Sequence, residues 1–94
     1  MSEMPNDSGG GTGRYDLEER PARFGEAAIR LAKTIRPSAA NRPLVSQLIR
    51  ASTSVGANYL EAEEAESRKD FRHKIALCRK ESKEARHWLR MLVA

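Results

Sequence analysis

The chain has 94 residues, 39% of them hydrophobic and 32% charged, which gives room for one small domain of the usual roughly 100 to 150 residues and no second core. Seventeen Lys and Arg against thirteen Asp and Glu leave a net charge of +4, which permits an anionic partner such as nucleic acid without requiring one. No apolar run approaches the roughly 18 residues of a spanning helix, no secretory signal opens the sequence, and the lone Cys78 has no disulfide mate, so a cytoplasmic protein without membrane association is expected.

Residues 1–14, with Gly9, Gly10, Gly11 and Gly13 among Ser and Thr and no apolar anchor beyond Met, read as a disordered leader. The domain follows over 15–94. Leu17, Phe24, Ala28, Leu31 and Ile35 then recur at spacings that share one helical face. Pro21 suits a first helical turn, and Pro37 biases Arg36 away from helix, so the first helix is placed at about 21–36. Pro43 opens the second, whose stripe of Leu44, Leu48, Ala51, Val55, Ala62 and Ala65 carries it to about residue 66. Ser67 followed three residues later by Asp70 has the form of a capping box. It starts a third helix over 68–94, with Phe71, Ile75, Cys78, Ser82, Ala85, Leu89, Leu92 and Val93 facing inward. No strand-like alternation interrupts the pattern. The fold class is therefore all-α, an antiparallel up-down helical bundle with three helices in this chain.

Enzyme chemistry finds little support. Ser52, Thr53 and Ser54 offer hydroxyls, but no base and orienting group accompany them, and His73 and His87 project away from Phe71 and Leu89 into solvent. Small residues such as Ser52, Ser54 and Gly56 fit better as places where another helix approaches closely. A single Glu84-x-x-His87 lacks the second copy that a di-iron bundle needs, and the glycine run has neither a preceding strand nor a following Lys-Ser/Thr. No catalytic residue, metal site or cofactor is expected.

Two polar features remain. Gln47, Arg50, Ser54, Asn58 and Glu61 border the apolar stripe of the second helix and read as a polar layer that fixes helix register, with Glu81 opposite. Antiparallel packing predicts an Arg50 to Glu81 ion pair, with Glu84 the alternative, and sets Asn58 opposite Lys74 and Ile75. The second feature is the row Arg72, Arg79, Lys83, Arg86 and Arg90, which lies on a strip about 60° wide and roughly 27 Å long. A solvated face is the plain reading of such a row, yet its bias toward Arg favours directional phosphate contacts. Trp88 projects toward the apolar side, so base stacking on this strip is not expected.

The stretch Gln47-Leu48-Ile49-Arg50-Ala51-Ser52-Thr53-Ser54-Val55-Gly56-Ala57-Asn58-Tyr59-Leu60-Glu61-Ala62 resembles the bacterial four helix bundle proteins, also called ribosomal-RNA intervening-sequence proteins. The likeness continues through Ser67-Arg68-Lys69-Asp70-Phe71, Lys80-Glu81-Ser82-Lys83-Glu84-Ala85 and Trp88-Leu89, covering about 16 to 94. It implies a small helical protein without established enzymatic activity. Related accessory proteins of diversity-generating retroelements have a similar fold, form ring-like homopentamers, and bind nucleic acid and a reverse transcriptase. The resemblance thus implies a homo-oligomer, a pentamer by that likeness, with RNA or DNA and a reverse transcriptase as candidate partners. Arg50, Ser54, Asn58 and Glu61 match the helix-two motif, and Glu81, Trp88 and Leu89 the helix-three motif. The family's fourth helix is absent or truncated here.

Self-association is also expected from the residues themselves. Val45, Ile49 and Leu60 lie away from the main stripe of the second helix, and Leu77 and Trp88 lie beside that of the third, so three helices present more apolar surface than they can bury. The expected function is a non-enzymatic, oligomeric bundle that binds structured RNA or another nucleic acid through the basic face of its third helix. The alternative is a protein-interaction scaffold that does not bind nucleic acid.

Overall fold

The computed structural model describes residues 14–94. Three helices make up most of this span: α1 (Arg14–Thr34), α2 (Asn41–Glu63) and α3 (Arg68–Leu92). No strand occurs among the described residues, so the all-α expectation holds. The leader expected over 1–14 lies outside the described residues except for Arg14, which begins α1.

Helix α1 departs from the expected 21–36 at both ends. Pro21 sits inside it rather than at its start. A proline there removes one backbone donor, a cost that packing offsets: Pro21 is half-buried, and a Cβ built on Gly56 of α2 would lie 3.7 Å from its carbonyl carbon. At the other end Pro37 acts early. The helix closes at Thr34, whose hydroxyl donates to the Leu31 carbonyl at 2.7 Å.

Helix α2 starts at Asn41, two residues ahead of Pro43. The first-turn N–H groups have no intrahelical acceptor, so proline is tolerated at the third helical position as well as the first. Ser38 supplies the missing acceptors: its Oγ accepts from Asn41 N at 2.9 Å and its carbonyl from Arg42 N at 3.0 Å. The helix ends at Glu63 instead of 66, and the four-residue turn 64–67 ends in Ser67. There the Oγ accepts from Asp70 N at 3.0 Å with extended backbone, φ −144° and ψ 160°. The reciprocal bond from Ser67 N–H to the Asp70 carboxylate does not form, because Asp is one methylene shorter than the Glu of a full capping box.

Neighbouring helices are antiparallel. Going up α2, Arg50 meets Glu84, Val55 meets Cys78 and Glu61 meets Lys74, while Gly25 faces Ser52 and Pro21 faces Gly56. The centre is built from small side chains around one large one: Leu48 is fully buried among Ala28, Ala51 and Ala85, with Trp88, Leu89 and Leu92 packed on the cluster. Helix α2 is the middle element. No Cα of α1 comes within 8 Å of one in α3.

Helix α3 buries or half-buries most of its expected inward stripe, namely Ile75, Cys78, Ser82, Ala85, Leu89 and Leu92. Its buried residues are Glu81 and Ala85, whereas Phe71 and Val93 are 44% and 83% exposed. Only α2 covers α3, so the stripe's far edge is left open. On α1, Leu17, Phe24 and Leu31 are likewise exposed. Val45 and Ile49, expected as surplus surface, are instead half-buried beside Ala32 of α1 and Ile35 just past its end, while Leu60 is 57% exposed.

Candidate nucleic-acid interface

The polar border between α2 and α3 holds the basic helix in place. Arg50 Nη2 lies 2.7 Å from Glu84 Oε1 and 3.3 Å from Glu81 Oε1, while its Nε donates to Gln47 Oε1 at 3.3 Å. The directional hydrogen bond goes to Glu84, because the contact with Glu81 is bent and leaves the buried Glu81 Oε1 without a hydrogen-bond partner. Glu81 nevertheless raises the Arg50 pKa above the ordinary arginine value more than any other group, and Glu84 adds to it. Given the bent geometry, we ascribe the effect of Glu81 to its charge. Lower on the interface Lys74 Nζ pairs with Glu61 Oε1. Arg50, Glu81, Gln47 and Glu61 thus meet across or along the border.

Ser54 and Asn58 do not reach α3. Ser54 Oγ donates to the Arg50 carbonyl at 2.6 Å and Asn58 Nδ2 to the Ser54 carbonyl at 3.0 Å, both within α2. Two cross-helix bonds were not anticipated: Lys74, expected opposite Asn58, pairs with Glu61 instead, and Cys78 Sγ donates to the Val55 carbonyl at 3.4 Å. Partial burial raises the Cys78 pKa above the ordinary thiol value. Ser52 Oγ and Trp88 Nε1 are buried with no hydrogen-bond partner, and the Trp88 ring meets His87 edge-on at 4.9 Å between centroids.

On the outer side of α3, Arg72, Arg79, Lys83, Arg86 and Arg90 are all exposed. None of the five forms an ion pair with another described residue, in contrast to Lys74 and Lys80 on the same helix, which lie 2.5 and 4.0 Å from Glu61 and Glu81. His73 and His87 are exposed, and no group of three or more His, Cys, Asp or Glu that could hold a metal occurs among the described residues. Lys83, Arg86, His87 and Arg90 line a shallow polar cleft of about 330 Å³. The strip also has an apolar neighbour. Arg79, Lys83 and Arg86 stand over a groove of about 530 Å³ between α1 and α3, together with Arg20, Phe24, Val55 and Leu89. The sequence alone did not reveal this groove, since its walls come from helices that share no local pattern.

Fold and surface together define a small all-helical protein whose third helix is anchored by a polar border and carries a row of cations on its outer side. Residues 18–94 match the family described as 23S rRNA-intervening sequence protein, and the chain belongs to that family. Its fold is similar to the 1.70 Å crystal structure of a protein of unknown function from the S23 ribosomal protein family of Bacteroides thetaiotaomicron VPI-5482, at 32% identity and a TM-score of 0.70. The similarity covers 82% of this chain and 71% of the other. No curated protein matches. No helix among the described residues is long and apolar enough to cross a membrane.

Proposed function

We propose that the protein is a non-enzymatic, self-associating helical module that binds structured RNA through Arg72, Arg79, Lys83, Arg86 and Arg90. The observation that carries this reading is that five exposed cations on one face of α3 have no acidic partner among the described residues. A row that served only solubility would gain from interspersed acids. Here Glu81 and Glu84, the acids of the helix beyond Asp70 in its first turn, are turned toward Arg50 instead. The guanidinium groups suit bidentate contacts to phosphate, and with no aromatic ring among the five, recognition would rest on backbone charge and shape. The family's description, which names an insertion in ribosomal RNA, agrees with an RNA partner. Self-association rests on the exposed Leu17, Phe24, Leu31 and Phe71. The test is binding of a labelled RNA duplex by the parent and by a variant with all five cations changed to Gln. Retention of parental affinity by a variant of unchanged helicity would refute the assignment, and sedimentation of the parent reads self-association separately.

A further inference from the structure

The cations of the α3 row are not evenly spread. Arg72 and Arg79 stand seven positions apart, whereas Lys83, Arg86 and Arg90 crowd into the last eight positions of the row. These three, together with His87, line the polar cleft of about 330 Å³, and no acidic residue shares its lining. Side chains three and four apart on a helix are neighbours, and like charges at that spacing repel. Glu84, the acid within the same turns, is drawn to Arg50 at 2.7 Å and forms no ion pair with them. His87 adds a steadied hydrogen-bonding group. Its ring meets Trp88 edge-on at 4.9 Å, and Trp88 packs on the buried cluster around Leu48.

We propose that this cleft holds the terminal phosphates of an RNA strand, while the rest of the row follows the strand's backbone. The choice of ligand follows from charge density. An internal phosphodiester carries a single negative charge, whereas a phosphate monoester carries about −1.5 to −2 at pH 7 and a triphosphate more. Three fixed cations and an imidazole converging on one cleft exceed what one diester can satisfy, and they match a group rich in charged oxygens. Position agrees with charge: the cleft occupies one end of the row, where a strand laid along α3 from Arg72 would finish. This inference rests on the RNA reading and deepens it, because the row by itself asks only for successive backbone phosphates.

The experiment uses the full chain and labelled RNA duplexes of one sequence whose 5′ end is a hydroxyl, a monophosphate or a triphosphate. Affinity is read by fluorescence anisotropy at constant salt, and helicity by circular dichroism. The triphosphate duplex should bind at least about tenfold more tightly than the hydroxyl one, the effect of roughly one charge-assisted hydrogen bond. His87→Ala should reduce that preference while leaving the hydroxyl duplex bound as by the parent. Arg72→Gln/Arg79→Gln should weaken all the duplexes alike and keep the preference. Equal affinity for the different ends, with binding still dependent on Arg72 and Arg79, overturns this inference and spares the RNA reading. Failure of the parent to bind any duplex overturns both. A preference untouched by His87→Ala and by Arg90→Gln rules out the cleft as its seat. ATP carries the triphosphate without the chain and should compete only weakly; ATP bound as tightly as the triphosphate duplex overturns the strand-end assignment in favour of a free nucleotide.

Discussion

The α3 strip makes a quantitative claim about salt. Each of its five cations is exposed and lacks an acidic partner among the described residues, so each is available to displace one condensed counterion from a duplex. At about 0.9 per phosphate contact, five contacts give a slope of log affinity against log salt near −4.5, so raising salt fourfold should weaken binding by about 500-fold. The variant Arg79→Gln/Arg86→Gln leaves three contacts, a slope near −2.7 and a loss of about 40-fold over the same range. The assay is anisotropy with a labelled RNA duplex longer than the strip, titrated from low to moderate KCl, with circular dichroism to verify helicity. A control is built into the molecule. Arg23 on α1 is exposed but sits 3.4 Å from Glu19, so Arg23→Gln should leave the slope unchanged. If the double variant folds and keeps the parental slope, the five cations are a solvated face and the assignment of the interface is wrong.

Four further outcomes follow from packing and capping. Leu48→Ala should cost toward the upper part of about 2 to 5 kcal/mol, read by denaturant unfolding, because the neighbouring Ala28, Ala51 and Ala85 have no flexible side chains with which to refill the space. Ser67→Ala should lower stability by about 1 kcal/mol through loss of the α3 cap, whereas Ser67→Asp should retain most of it. At Gly56 a new Cβ meets Pro21 backbone atoms only at ordinary contact distances of 3.7 to 3.8 Å, so Gly56→Ala should be neutral or raise the melting temperature, while Gly56→Leu should lower it by prising α1 from α2. The Cys78 pKa is raised in the folded state, so the fold favours the protonated thiol, a contribution complete below the ordinary thiol pKa and lost as pH rises through the folded value. Stability should fall more steeply above pH 9 for the parent than for Cys78→Ala.

The helices were legible because their signals are local, and the errors arose where a local signal met a distant one. Leu17 shares the period of Phe24 and Leu31 and marks α1 as longer than 21–36, but Pro21 reads in isolation as a start. The helix instead runs through Pro21, whose carbonyl lies against Gly56, thirty-five positions away. The Arg50 border was legible from antiparallel geometry alone, down to the two acids that compete for the guanidinium. Ser54 and Asn58 were not, because a side chain that can satisfy itself on its own helix gives the same periodicity as one that reaches across. The five cations were visible in spacing, yet nothing in that spacing places them above a trough whose other wall is α1. Phe71 and Val93 show the same limit. Their period fits an inward stripe, but a stripe is buried only as far as neighbouring helices extend.

Because no Cα of α1 comes within 8 Å of one in α3, α1 is held chiefly by α2 and the protein has a seam. The α2–α3 hairpin is joined by a four-residue turn and clasped by Arg50 with Glu84 and by Lys74 with Glu61. The α1–α2 seam is close-packed instead, with Gly25, Ala28 and Pro21 lying against α2. Such a molecule should open in stages, with α1 lifting away first and uncovering Val55 while the hairpin stays formed until global unfolding. In amide hydrogen exchange the chain would therefore separate into two classes of protection, with the α1 amides exchanging through a smaller opening that the hairpin does not share.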